Sequence, residues 1–197
     1  MPFSRRAASP EGPSMIRLIG PGGAGKSTTG ALLASRLKIA FIDLDEQFMS
    51  TSGPISQYIQ TNGYLSYAAR NIDVYLAAIA REKTSVVVAL SSGFMTYHPD
   101  VHPQYQQCVS EIIAHSLTFT LLPSLDCETC VTEVVRRQLG RPFARTVARE
   151  EQVIRERFRA YEKLPVTKIE TMRPPELIVD ELVSTIKQQS LAQSPQI

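Results

Sequence analysis

The sequence predicts an α/β fold of three layers, with a central, mostly parallel five-stranded sheet held between helices. Three observations predict it. Short apolar runs rich in β-favouring residues alternate with helical patterns along the chain. Runs such as SVVVAL and LTFTLL lack polar alternation, as suits strands covered on both faces. No repeat or low-complexity block interrupts residues 15–190.

In chain order, strands are expected at Met15–Ile19, Ile39–Leu44, Ser85–Leu90 and Leu117–Leu122, with a short one near Thr167–Glu170. Helices fit Ser27–Leu37, Pro54–Gln60, Tyr67–Arg81, Val101–Ala114, Cys127–Leu139, Glu150–Tyr161 and Pro175–Lys187. The segment Gly140–Arg149 is basic and aperiodic and lies between two helices, so a mobile loop is expected there. Residues 1–14 hold three Pro, three Ser and two Arg, and read as a disordered tail or linker remnant. Residues 15–191 make one domain, and residues 192–197 a flexible C-terminus.

At 197 residues, 43% of them apolar, the chain suits one compact domain with a real core. It holds no run of ~18 apolar residues, so no transmembrane helix is expected, and no stretch resembles a signal peptide. A net charge of +2 gives no footprint for nucleic acid. The cysteines Cys108, Cys127 and Cys130 are odd in number, which fits reduced thiols in the cytoplasm.

The sharpest signal is GPGGAGKS at Gly20–Ser27, which matches G-x-x-x-x-G-K-[ST] between an apolar strand and an amphipathic helix. Its glycines, Gly20, Gly22, Gly23 and Gly25, with Ala24, let successive N–H groups face one anion. The helix N-terminus at Ser27 and Thr28 adds partial positive charge. Lys26 would reach the β- and γ-phosphates of ATP, and the Ser27 hydroxyl would ligate Mg²⁺. The fold expected is therefore a three-layer P-loop kinase with a mobile lid. In AFIDLDE, Asp43 and Asp45 end the second predicted strand, and a two-residue period puts both side chains on one side. One carboxylate could hold Mg²⁺ while the other takes a proton from an attacking hydroxyl; the plain alternative is that both cap the next turn.

With these motifs the chain resembles the shikimate kinase family over roughly residues 15–187. The resemblance implies Mg²⁺ near Ser27 and Asp43, and Asp45 on the substrate hydroxyls. Arg141-Pro142 resembles the family's lid, which makes Arg141 the arginine for the γ-phosphate or transition state, with Arg137 beside it at the nucleotide. Arg157 and Tyr161 match an R-x-x-x-Y pattern whose arginine grips the substrate carboxylate. Ser91-Ser92-Gly93 falls on the family's glycine-rich turn, placing Ser92 and Gly93 at the substrate, and Thr171 and Arg173 fall on a loop near the adenine. Two positions depart. Ala68 follows Tyr67 where the family carries a second carboxylate-binding arginine, and Arg70 lies about 200° round the helix. SSG also replaces GGG.

Other candidates have bland readings beside the functional ones. Arg136, Arg145 and Arg149 serve either a closing lid or a solvated basic face. Arg155, Arg157 and Arg159 share a helix at two-residue spacing, so at most one should enter the crevice. His98 and His102 suit loop or cap roles, and Cys127-x-x-Cys130 has no second pair to form a zinc site. Phe48, Tyr64 and Tyr67 are core residues by default, or the wall of an aromatic acceptor pocket.

The expected activity is ATP- and Mg²⁺-dependent phosphoryl transfer to a hydroxyl of a small metabolite, by a cytoplasmic monomer without nucleic-acid or membrane partners. Two alternatives remain: a related domain that senses an effector without catalysis, and a kinase for another hydroxylated acceptor such as a sugar acid, nucleotide or antibiotic.

Overall fold

A computed structural model of the chain describes residues 14–139 and 147–193. Among these, β1 (Met15–Ile19) leads into α1 (Lys26–Leu37), and β2 (Ala40–Asp43) runs directly into α2 (Leu44–Ser52). Then follow α3 (Ile55–Arg81), β3 (Val86–Ala89), a 3₁₀ turn at Phe94–Thr96, α4 (Tyr105–Ala114) and β4 (Thr118–Leu122). The chain continues with α5 (Cys127–Leu139), α6 (Val147–Glu162), β5 (Thr167–Glu170) and α7 (Pro175–Gln193).

The five strands line up in the order β2-β3-β1-β4-β5, and all four pairings are parallel. Every residue of β3 and β4 is buried, which is why those runs show no alternation. Their side chains still divide between two faces. Ile16, Leu18, Val87, Phe119 and Leu121 pack under α1 and α7, whereas Ile19, Val86, Val88 and Leu122 pack against the layer of α2–α6. That sandwich is the predicted three-layer arrangement.

Several boundaries differ from expectation, each for a local reason. The second strand stops at Asp43, because the Asp43 carboxylate accepts from the N–H groups of Asp45 at 2.9 Å and Glu46 at 3.4 Å and so starts α2. The two helices expected at 54–60 and 67–81 are both present within α3, separated at Gly63, whose φ 81° and ψ 163° are not helical, and they reach closer to that glycine than expected. The helix expected from Val101 begins at Tyr105. Residues 147–149, expected within the lid, already belong to α6. The rest of that lid, with Arg141 and Arg145, lies outside the described residues, as do residues 1–13 and 194–197.

Candidate active site

All five strands point their carboxyl ends at one edge of the sheet, and the loop after the central strand β1 occupies that edge. Gly20 has φ 144°, and a Cβ there would lie 2.2 Å from the carbonyl oxygen of Leu121, so only glycine lets the loop turn over β4. Gly25 caps α1 in the left-handed region (φ 90°) with no side-chain hydrogen bond. The first N–H groups of α1 are thus left for an external anion, and its first turn holds no acidic residue to compete.

A pocket of about 130 Å³ beside this loop is lined by Gly22, Gly23, Gly25, Lys26, Ser27, Thr28, Asp43, Asp45, Leu90 and Ser92. It unites residues of three separate stretches that the sequence singled out. Lys26 is buried, and its Nζ donates to the carbonyls of Gly20 at 2.8 Å and Pro21 at 2.9 Å. Ala24 is fully buried and supports the loop from beneath. Its carbonyl accepts from Thr171 Oγ1 at 2.9 Å, which joins the loop to the chain after β5.

Asp43 and Asp45 do face the same pocket, but not by strand alternation. Asp43 is the last residue of β2 and the cap of α2, while Asp45 stands in the first turn of that helix. A turn-capping role and a place in the pocket coexist at Asp43. Asp45 Oδ1 accepts from Ser91 Oγ at 2.5 Å. The Ser27 hydroxyl and the Asp43 carboxylate are hard oxygen donors on two residues that line the pocket. They suit Mg²⁺, which commonly takes one or two protein ligands and completes its shell with phosphate and water. Among the described residues no group of three or more His, Cys, Asp or Glu could hold a metal alone.

A second groove, about 420 Å³, runs from Gly23, Gly25, Thr28 and Thr29 to Arg137, Thr171, Arg173, Pro175 and Ile178. Arg137 organises it. Its guanidinium donates to the carbonyls of Gly23 at 2.9 Å and Thr171 at 3.1 Å, and Glu133 fixes it from the preceding turn of α5 at 2.6 Å. Hydrogen bonding from Arg136, then from Arg137, holds the Glu133 carboxyl at about 2, against a burial that works the other way. Glu133 was not singled out from the sequence, although an acid three and four residues ahead of two arginines is a legible helix pairing.

On the other side of the turn after β3, a cleft of about 480 Å³ is lined by Ile59, Tyr64, Thr96, Val153, Glu156, Arg157 and Ala160. Arg157 Nη1 donates to Ser92 Oγ at 3.0 Å, and the Tyr161 hydroxyl donates to the Ser92 carbonyl at 3.1 Å. A Cβ on Gly93 would meet Tyr64 Oη at 2.6 Å and Arg157 Nη2 at 3.2 Å, so the bare glycine lets both approach. Of Arg155, Arg157 and Arg159, only Arg157 lines this cleft; Arg155 pairs with Glu128, and Arg159 is exposed.

The departures from the expected acceptor side are physical. Ala68 is 1% exposed, and Arg70 donates its Nε–H to Ser52 Oγ at 3.0 Å rather than lining the cleft. Phe48 and Tyr67 are core residues, and Tyr64 is the aromatic that faces the cleft. His98 sits beside Asp100 and His102 beside Asp73, in keeping with loop roles. Burial pushes the Cys130 thiol up to about 11, far from a reactive thiolate.

A family model described as "Shikimate kinase" matches residues 22–187. The shikimate kinase of Francisella philomiragia is 42% identical over 79 residues, 40% of this chain and 44% of that protein. That stretch spans less than half the length of the relative. The shikimate kinase of Nitrobacter winogradskyi is 27% identical over 175 residues, 87% of this chain and 76% of the relative. Among solved structures, shikimate kinase from Acinetobacter baumannii in complex with shikimate superposes with a TM-score of 0.68 at 23% identity, covering 93% of this chain and 96% of that one. A gluconokinase from Sinorhizobium meliloti 1021 shares the fold at a TM-score of 0.58 and 16% identity, over 90% of this chain and 93% of its own. Strand order, loop geometry and a family match across most of the chain agree: this protein belongs to the shikimate kinase family.

Proposed function

We propose that the protein transfers the γ-phosphate of ATP to a hydroxyl of a small hydroxylated acid. One observation carries the reading: Lys26, Ser27, Asp43, Asp45 and Ser92 line one pocket at the carboxyl edge of a parallel sheet. The loop amides between Gly20 and Ser27 take the β- and γ-phosphates, and the Lys26 ammonium exchanges its carbonyl partners Gly20 and Pro21 for phosphate oxygens. The nucleoside end lies in the groove of Arg137, Thr171, Arg173 and Pro175. Ser27 and Asp43 would hold Mg²⁺, which would neutralise charge on the phosphates.

The acceptor occupies the cleft beside Arg157, whose guanidinium takes its anionic group. Its hydroxyl oxygen attacks the γ-phosphorus, the bond from that phosphorus to the β,γ-bridging oxygen breaks, and the hydroxyl proton passes to Asp45. Arg141 of the lid stabilises the transferring group. The reaction class is that named for the family, and the acceptor class extends to shikimate and related ring or sugar acids.

A coupled ADP-release assay tests this across shikimate, quinate and gluconate at saturating Mg·ATP. Turnover well above ATP hydrolysis with one of them is the expected outcome, with Asp45→Asn cutting kcat while sparing ATP affinity. Absence of turnover with every hydroxy acid, in a chain that binds Mg·ATP, would favour an effector-sensing domain instead.

A further inference from the structure

The residue after Leu90 turns the chain at the carboxyl end of β3, and here it is Ser91 where the family resemblance expects glycine. Its hydroxyl lies in a chain of buried polar groups. The Tyr97 hydroxyl donates to Asn71 Oδ1 at 3.1 Å, Asn71 Nδ2 donates to Ser91 Oγ at 3.1 Å, and Ser91 Oγ donates to Asp45 Oδ1. Asn71 is 0% exposed, Ser91 2% and Tyr97 6%. Leaving polar groups so deep without a partner is costly, and each of these three has one.

We propose that Ser91, held by Asn71 and Tyr97, is a positioning residue that fixes the Asp45 carboxylate through Oδ1 and leaves Oδ2 to take the acceptor proton. The inference rests on Asp45 being the proton acceptor of the proposed reaction.

The hydrogen positions follow from the charge at the end of the chain. A carboxylate only accepts, so Ser91 must send its single hydrogen to Asp45. Ser91 Oγ then needs a donor behind it, which the Asn71 amide supplies only with Nδ2 turned toward the serine. That orientation presents Oδ1 to Tyr97, which must donate. Flipping the amide would compete for the serine proton and set two lone-pair-bearing oxygens against each other at Asp45. Burial, with the charge of Asp45 as a second cause, pushes the Tyr67 hydroxyl beside this chain up to about 12. Burial likewise raises Tyr97 well above its ordinary value, so both tyrosines stay protonated.

Asn71 lies on the part of α3 packed in the core. The aspartate, which lines the pocket from the short helix α2, is thereby tied to a rigid element, and its staggered alternatives are disfavoured. Glycine at position 91 could not supply this tie.

Ser91→Ala should lower kcat about ten-fold, equivalent to about 1.4 kcal/mol in the barrier. Its Mg·ADP affinity by calorimetry and its KM for ATP should stay within about two-fold of wild type. Tyr97→Phe, which removes one hydroxyl, should act in the same direction and more weakly. In an Asp45→Asn background Ser91→Ala should add nothing, because the serine acts only through that carboxylate. Full, additive loss in that background, or unchanged kcat in Ser91→Ala at a temperature where it is folded, overturns the inference. A crystal structure of Ser91→Ala gives a readout independent of turnover: Asp45 should leave the rotamer of the wild-type crystal, and an unmoved Asp45 also overturns it. If wild type transfers phosphate to no acceptor while Asp45 moves in Ser91→Ala, the kinase reading falls and the positioning role stands.

Discussion

Arg157 reaches across from α6 to donate to Ser92 Oγ at 3.0 Å, and Ser92 also lines the pocket beside the Gly20–Ser27 loop. That contact joins the cleft proposed for the acceptor to the pocket proposed for the phosphates. The same serine is held from behind by Tyr161, which is fully buried, so the turn is gripped at its side chain and its backbone.

Arg157→Ala should therefore raise the KM for the acceptor by about one to two decades, the scale of one charge-assisted contact of about 1.5–3 kcal/mol. The KM for ATP should change little. Arg157→Lys should recover only part of the loss, since an ammonium cannot serve Ser92 and a carboxylate in one plane. Steady-state kinetics with acceptor and ATP varied separately decide the matter; an unchanged acceptor KM would place the anionic group elsewhere.

Lys26→Ala should reduce turnover by about 10²-fold or more, the usual cost of removing a preorganised charge from a phosphoryl-transfer site. The carbonyls of Gly20 and Pro21 would lose their buried donor as well, so some loss of stability should accompany it. Single-turnover assays alongside thermal unfolding separate the two effects.

Gly20→Ala combines an unfavourable φ of 144° with a Cβ driven into the Leu121 carbonyl, and the obstacle is backbone in the central sheet. Destabilisation of at least about 1–3 kcal/mol is expected from urea unfolding. Gly53→Ala provides the contrast, because nothing lies within 4 Å of its added Cβ and only the φ of 82° opposes it. Equal losses at the two positions would show that crowding at Gly20 contributes nothing.

Glu133 links acidity to the nucleotide groove. Its carboxyl is held at about 2, below its ordinary 4.5, first by Arg136 and then by Arg137. A depressed acid stabilises the fold above its ordinary pKa and loses that contribution as pH falls through the folded value. The stability gap between wild type and Glu133→Gln should thus be widest above pH 4.5 and close as the pH approaches 2. Because Glu133 orients Arg137 toward Gly23 and Thr171, the variant should also bind ADP several-fold more weakly at neutral pH. Parallel pH-dependent denaturation curves, plus calorimetry at one pH, test both halves.

Much of this was written in local sequence. The loop at Gly20–Ser27 has a motif, a preceding strand and a following helix, all within one short window. Strands such as VVVA declare themselves because both faces are covered. The start of α2 was misread for a physical reason: Asp43-Leu44-Asp45 fits strand alternation, yet Asp43 with Glu46 three residues on is also a helix start, and the backbone N–H groups chose the latter. The chain of Tyr97, Asn71 and Ser91 was illegible, since it joins a helix to a turn through contacts with no sequence spacing to betray them. The cleft's glutamate, Glu156, likewise comes from a helix distant in sequence, whereas Tyr64 was already among the aromatics expected as the wall of an acceptor pocket.

The placement of β1 has a consequence for how the protein comes into being. Met15 lies opposite Val86 on one side, and Arg17 opposite Thr118 on the other, so β1 waits for partners synthesised much later. Its loop is clasped later still, by Arg137 and Thr171. Closing such distant pairings is entropically slow, and an emerging chain gains little from β1 until both neighbours exist. This edge of the sheet is consequently completed late: a nascent chain released before β4 would hold the residues that line the pocket but lack Leu121, over which Gly20 turns, and the clasp of Arg137 and Thr171 on the loop.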